Sequence, residues 1–297
     1  MAASGTQTWA GGKAATFVKK LKNAPFPYYG QYAETTDDFF DYRDPGTSEL
    51  FHTNRYGQRF SEKDHYLDSS VLFHVPALFQ PDKPLVLVVY FHGHSTSARE
   101  TFREHQLADQ MAAAGRNAVL ILPQLAVNAL DSSPGRFFQK NKFKQFLEEA
   151  AGVLADETGH KYLRNYETAP LVLAAFSGGY KSVAYVLDRG GVDGRIKGVL
   201  LLDGLFEDED KFIHWLVTRS GSSFFVSLYS LEGPCREYNR KIADALRESG
   251  LGWKEHWPSR VKAGEVALIP VETDHLKIPL NGPPRRPLAE LLRGIEE

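Results

Sequence analysis

The sequence predicts an α/β fold, a mostly parallel, doubly wound sheet with helices on both faces. Three observations predict it. From residue 84 onward short apolar runs recur: 85-LVLVVYF-91, 118-AVLIL-122, 171-LVLAAF-176, 198-GVLLL-202, 223-SFFVSLY-229 and 266-VALIPV-271. They are apolar at successive positions, as expected of strands covered on both faces in a parallel sheet. Between them lie helix-length amphipathic segments, and strand-helix alternation of this kind implies right-handed βαβ crossovers.

Composition narrows the class. The chain has 297 residues, 42% of them hydrophobic, enough for a substantial core in a single α/β unit. The net charge of -2 gives no basic surface for nucleic acid or an anionic membrane. The one tight basic cluster is Val18-Lys19-Lys20-Leu21-Lys22. Cys235 is the only cysteine, so no intrachain disulfide forms, which fits a reducing compartment. The longest apolar run, Leu85 to Phe91, is far too short for a transmembrane segment. The N-terminus, MAASGTQTWAGGKAATF, has no apolar signal-peptide core. A cytoplasmic location is the default; a mature periplasmic or secreted form, with Met1 in place of a removed signal, is equally compatible.

Taken in order, residues 1–69 carry many aromatics among Gly, Pro, Asp and Thr, with no sustained period. They are expected to form an irregular arm packed on the main domain, with a hairpin near Asn54-Arg55-Tyr56-Gly57. The main domain then spans 70–297. Its first piece, 71-VLFHVP-76, alternates in and out and reads as an outer antiparallel strand. The run 85–91 is followed by His92-Gly93-His94-Ser95. The run 118–122 leads into 123-PQLAVNALDSSPGRFF-138, whose Asn128, Asp131, Ser132 and Arg136 are polar groups within reach of a ligand. Phe143, Phe146, Leu147, Ala150 and Leu154 give a helix its apolar stripe. The run 171–176 ends in Ser177-Gly178-Gly179, with Tyr180 next; the run 198–202 ends in Asp203-Gly204. The acidic stretch 207-EDED-210 suits the first turn of a helix through Phe212 and Trp215. Glu232 follows the run 223–229, and Tyr238, Ile242 and Leu246 make the next helical stripe. The last run is followed by Thr273-Asp274-His275, and Leu288, Leu291, Leu292 and Ile295 close the chain as a helix.

In an open parallel sheet, ligands bind beyond the carboxyl ends of the strands, so these strand-end residues are the candidates for chemistry. Their order is Ser, Asp, His. On these residues the chain resembles the α/β-hydrolase superfamily over roughly 66 to 297. The superfamily's Gly-x-Ser-x-Gly appears here as Ala175-Phe176-Ser177-Gly178-Gly179, with alanine for the first glycine. The resemblance implies that Ser177 is a nucleophile, that His275 removes its proton and that a carboxylate orients the imidazole. It also implies an oxyanion site from the backbone N–H groups of Gly178 and His94. For the acid, Asp203 is favoured because a short carboxylate at a strand end is well fixed. Glu232, at the position more usual for the superfamily, is the alternative. His92 is expected to hydrogen-bond loop backbone, and with Asn128, Asp131 and Tyr180 it belongs to a weaker set of substrate-contact candidates. His92 and His94 are spaced H-x-H, but no further ligands follow at a metal-like spacing, so neither metal nor cofactor is expected.

The implied function is a serine hydrolase acting on a small-molecule or acylated substrate through a carboxylic ester. An amidase or peptidase with the same three residues, and a catalytically silent binding domain, are the open alternatives. The short gap between Asp203 and the next strand leaves no room for a large lid. Any cover over Ser177 must come from the arm or from 123–138. Oligomeric state is not legible.

Overall fold

The computed structural model describes residues 12–219 and 221–296. The N-terminal residues on which the question of an export signal turns, 1–11, lie outside them. The strands are β1 (Ala15–Lys20), β2 (Tyr42–Arg43), β3 (Leu50–Thr53), β4 (Arg59–Ser61), β5 (Ser70–Val75), β6 (Val86–Phe91), β7 (Ala118–Pro123), β8 (Leu171–Phe176), β9 (Ile196–Leu202), β10 (Phe224–Ser230) and β11 (Val266–Val271). Eight of them form one sheet in the order β1-β5-β7-β6-β8-β9-β10-β11. From β7 to β11 all pairings are parallel, while β5 runs antiparallel to both β7 and β1.

The chemistry of the runs explains this order. β6, β7 and β8 are buried at every position, because helices cover both faces of the sheet. One layer holds the 17-residue helix Lys142–Thr158, which buries Phe143, Phe146, Leu147, Ala150 and Leu154 against Val89, Phe91, Leu173 and their neighbours. The other holds Leu107–Ala114 and Pro287–Gly294, packed over Val88, Tyr90, Val172 and Leu200. Among the described residues no helix is long and apolar enough to cross a membrane.

Residues 71–76 were expected to form an outer antiparallel strand, and β5 is antiparallel to both its neighbours. It is second from the edge, because β1 lies outside it, with Ala15 opposite Val75 and Lys20 opposite Ser70. β1 comes from the segment read as an irregular arm. An edge strand needs no two-faced apolar run, and this one leaves Lys19 and Lys20 exposed, as edges commonly do.

The rest of the N-terminal segment carries a small antiparallel sheet, β2-β3-β4. Its hairpin turn runs from Asn54 to Gln58 with Gly57 at φ 76°. An aromatic cluster of Phe26, Tyr28, Phe39, Tyr66, Phe138 and Tyr185 seats this segment on the main domain. Phe39 stacks on His52 at 4.2 Å, and Phe138 meets Tyr185 edge-on at 4.8 Å. Such ring pairs add ~1 kcal/mol each beyond their area burial. Arg136 clamps the segment as well, donating to the carbonyls of Ala24 (3.2 Å) and Pro27 (2.9 Å).

A buried ion pair also holds the N-terminal segment to the 123–138 loop. Asp131 Oδ1 stands 3.6 Å from His52 Nε2, and Oδ2 accepts from Tyr66 Oη at 3.0 Å. Burial alone would raise the Asp131 carboxyl, but His52 and the Ser133 donors outweigh it and hold it below the usual carboxylate range. Burial alone would lower His52, but Asp131 more than restores it, to above the usual histidine value. The stabilisation from His52 is therefore complete below its unfolded value of about 6.5 and fades as pH rises through the raised one. That from Asp131 is complete above about 3.9 and fades as pH falls through the depressed one. The pair should thus contribute most between these two limits. Melting curves of the wild type and His52→Gln should differ more at about pH 6 than at about pH 9, by about 2 °C. An equal difference at both would show that the pair is not charged in the folded protein.

Candidate active site

β8 ends in the shortest of turns. Ser177 has φ 51°, the left-handed region that side chains rarely adopt, and a 3-10 turn Ser177–Gly179 leads directly into the helix Tyr180–Arg189. Close approach demands the small residues around it. A Cβ at Gly179 would sit 2.5 Å from the Phe91 carbonyl oxygen, and one at Gly93 would sit 2.9 Å from Ser177 Cβ. A Cβ at Gly178 would strike the His94 imidazole at 2.4 Å. Ala175, which replaces the motif's first glycine, is fully buried in the strand itself. A positive φ in a polar residue at a strand-helix junction is local strain, sustained by the packing around it.

Three strand ends converge here. His275 Nε2 is 2.9 Å from Ser177 Oγ, and its Nδ1 is 2.8 Å from Asp203 Oδ2. Asp203 can only accept, so Nδ1 is the donor and Nε2 is free to accept the serine proton. The imidazole stacks on Phe176 at 4.7 Å and meets Phe206 edge-on at 6.3 Å. Asp203 follows β9 and is itself at φ 45°. Its amide donates to the Leu228 carbonyl at 2.7 Å. Its carboxylate accepts from the Ser230 amide at Oδ1 and from the Ser230 hydroxyl at Oδ2, both at 2.9 Å. Burial alone would raise this carboxyl. The hydrogen bonds from His275 and Ser230 outweigh it, and Asp203 titrates below the usual range.

Glu232 stands elsewhere, in the turn before the helix Cys235–Glu248, on a surface groove it shares with Tyr229 and Arg236. No hydrogen bond joins it to His275 among the described residues. His92 is buried behind the site. Its Nδ1 donates to the Gly93 carbonyl at 2.8 Å, and its Nε2 accepts from the Leu125 amide at 2.9 Å. Burial pushes it down to about 4, so it is neutral and holds the 123–138 loop to β6. Asn128 is exposed at φ 48° and does not line the cavity described next.

Beside the serine turn opens a cavity of about 210 Å³. Asp131 and Tyr180 line it, together with His94, Ser132 and residues 52–56 of the N-terminal segment. His94 Nε2 and Ser132 Oγ are 2.5 Å apart, and burial holds the imidazole below its usual value, hence neutral at pH 7. Two features of the site escaped the sequence reading. Ser230 stands at the end of its strand, so the strand-end rule that singled out Asp203 would have found it. The side-chain pairing of His94 with Ser132 spans 38 residues and left no local signal.

No family model matches the sequence, and neither does any curated protein. Solved structures do match. A serine-to-alanine mutant of the feruloyl esterase module from Clostridium thermocellum, complexed with sinapinate, aligns over 92% of this chain and 97% of its own. The identity is 11% and the TM-score 0.51. An S-formylglutathione hydrolase from Agrobacterium tumefaciens aligns over 84% of this chain and 95% of its own, at 10% identity and a TM-score of 0.46. An uncharacterized protein from Bacillus cereus aligns over 65% of this chain and 54% of its own, at 14% identity and a TM-score of 0.41. The first of these likenesses, at such low identity, is one of fold.

Proposed function

We propose that this chain, which has an α/β-hydrolase-type fold, is a serine hydrolase that cleaves a carboxylic ester through an acyl-enzyme. One observation carries the reading: Ser177, His275 and Asp203, from three different strand ends, form one hydrogen-bonded line with spacings of 2.9 and 2.8 Å. The choice of an ester is supported by one of the fold neighbours, a feruloyl esterase module. Residues 70–297 carry these groups, and the arm within 1–69 supplies one wall of the cavity beside them.

In this reading Ser177 Oγ attacks the substrate carbonyl carbon while His275 Nε2 takes the hydroxyl proton, and the carbonyl electron pair moves to oxygen. The backbone N–H groups of Gly178 and His94 meet the resulting oxyanion, where charge develops in the transition state. Asp203 holds the imidazole in the tautomer that accepts at Nε2 and stabilises the imidazolium. Collapse of the tetrahedral intermediate expels the alcohol, which takes its proton from His275. Water then repeats the sequence and frees the acid.

The test is covalent. A fluorophosphonate probe is expected to label the native protein at one residue, Ser177, as read by mass spectrometry of the digest. Labelling should be lost on prior heat denaturation, since an unfolded serine lacks the activating histidine. A native protein that stays unlabelled would end the proposal.

A further inference from the structure

The cavity beside Ser177 bears on what the ester carries. We propose that it is a subsite for an uncharged, polyhydroxylated group of sugar-ring size, borne by the ester substrate. This rests on the hydrolase reading above and extends it to a substrate class.

Chemistry of the lining comes first. Six of the fourteen lining residues among those described, Tyr32, Thr53, Tyr56, Ser132, Ser133 and Tyr180, bear hydroxyls, and Leu130 is the one aliphatic residue among them. A pocket for a fatty acyl chain would be predominantly apolar. Ser132, Ser133, Tyr32 and Tyr56 already bond His94, Asp131, His52 and Arg55 but keep lone pairs that accept from a ligand. The Tyr180 hydroxyl can both donate and accept, and together these groups match a ligand rich in hydroxyls. Tyrosine faces add flat apolar surface for the C–H side of a ring.

Charge is the second argument. The cavity contains charged residues, but they neutralise one another. Arg55 pairs with Glu207 at 2.5 Å, Lys181 lies 3.9 Å from Glu207 and 3.8 Å from Asp208, and Asp131 faces His52. A charged ligand would have to break one of these pairs, whereas a neutral polar one leaves them intact.

Position is the third. His94 lies against Gly178, the residue after the nucleophile, and hydrogen-bonds Ser132 in the cavity wall. Tyr180 follows two residues later and packs near Gly204, behind Asp203. Its hydroxyl has no hydrogen-bond partner among the described residues. A group in the cavity is thus one residue from the reacting centre. The volume of about 210 Å³ gives room for a ligand group of sugar-ring size.

The test uses two pairs of esters, because the hydroxylated group can stand on either side of the scissile bond. A monoacetylated hexose is compared with butyl acetate, and the methyl ester of a polyhydroxylated acid with methyl hexanoate. The hydroxylated member of one pair should be preferred at least tenfold in kcat/KM. Tyr180→Phe and Ser132→Ala should each reduce that preference about fivefold, the scale of one lost hydrogen bond, with the change in KM. Absence of preference in both pairs, or a preference that both variants keep, overturns the subsite. Fluorophosphonate labelling separates this from failure of the hydrolase reading. A labelled enzyme without preference loses the subsite alone. For an unlabelled protein the subsite is judged by equilibrium dialysis of radiolabelled hexose. Binding weakened in Tyr180→Phe supports it; absence of binding, or binding equal in the two proteins, overturns it.

Discussion

Ser177→Ala is expected to lower turnover of an activated ester such as p-nitrophenyl acetate on the order of 10⁶-fold, the scale of removing the nucleophile of a comparable triad. The fold should survive the change. Alanine at φ 51° is no more strained than serine, and the removed oxygen leaves a site already confined by Gly93 and Gly204. The loss should fall on kcat, because the cavity beside the serine is lined by other residues. Steady-state kinetics and a melting curve on the purified variant check both halves. Wild-type turnover in a folded variant would remove Ser177 from the chemistry.

The second large effect concerns the carboxylate. Asp203→Asn is expected to reduce turnover about 10⁴-fold, because an amide neither fixes the acceptor tautomer of His275 nor stabilises its cation. Glu232→Gln should change turnover less than about twofold, the scatter expected of a surface substitution away from the site. The geometric ground is direct. Asp203 Oδ2 meets His275 Nδ1 at 2.8 Å, and Ser230 holds both carboxylate oxygens. Glu232 lies on a groove with Arg236 and Arg240. The two variants measured on one ester decide between the carboxylates. A near-normal Asp203→Asn beside a crippled Glu232→Gln would reverse the assignment.

Some of this was legible in the residues themselves. The parallel strands are covered on both faces and so read as unbroken apolar runs. The helix Lys142–Thr158 shows its buried face as a stripe because one side of it meets the sheet. β1 left no such trace, since it is a six-residue edge strand paired on one side, with Lys19 and Lys20 in solvent. β5 read as an outer, alternating strand because Ser70 and His74 interrupt its apolar run, yet Val71 to Val75 are buried on both faces with β1 and β7 on either side.

By itself the sequence determined the order of the main strands and helices from residue 71 onward and the few polar residues that stand at strand ends. Those are local properties, set by side-chain size and by which backbone each residue tolerates. A turn as tight as Ser177-Gly178-Gly179 can be read wherever it occurs, because only small residues allow so close an approach. The partners of those residues were another matter. His275 lies 98 residues from Ser177 and 72 from Asp203, and the strand order that makes them neighbours is a property of the whole sheet. The contact between Asp203 and Ser230 follows from register: Leu202 stands beside Leu228, which carries Ser230 to the carboxylate two residues on. The cavity required more still. Asn54 reaches across to the Leu130 carbonyl at 2.7 Å, 76 residues away, and joins two segments that share no pattern. Only packing decides such a meeting, because its stabilisation comes from surfaces that do not exist until both segments have docked.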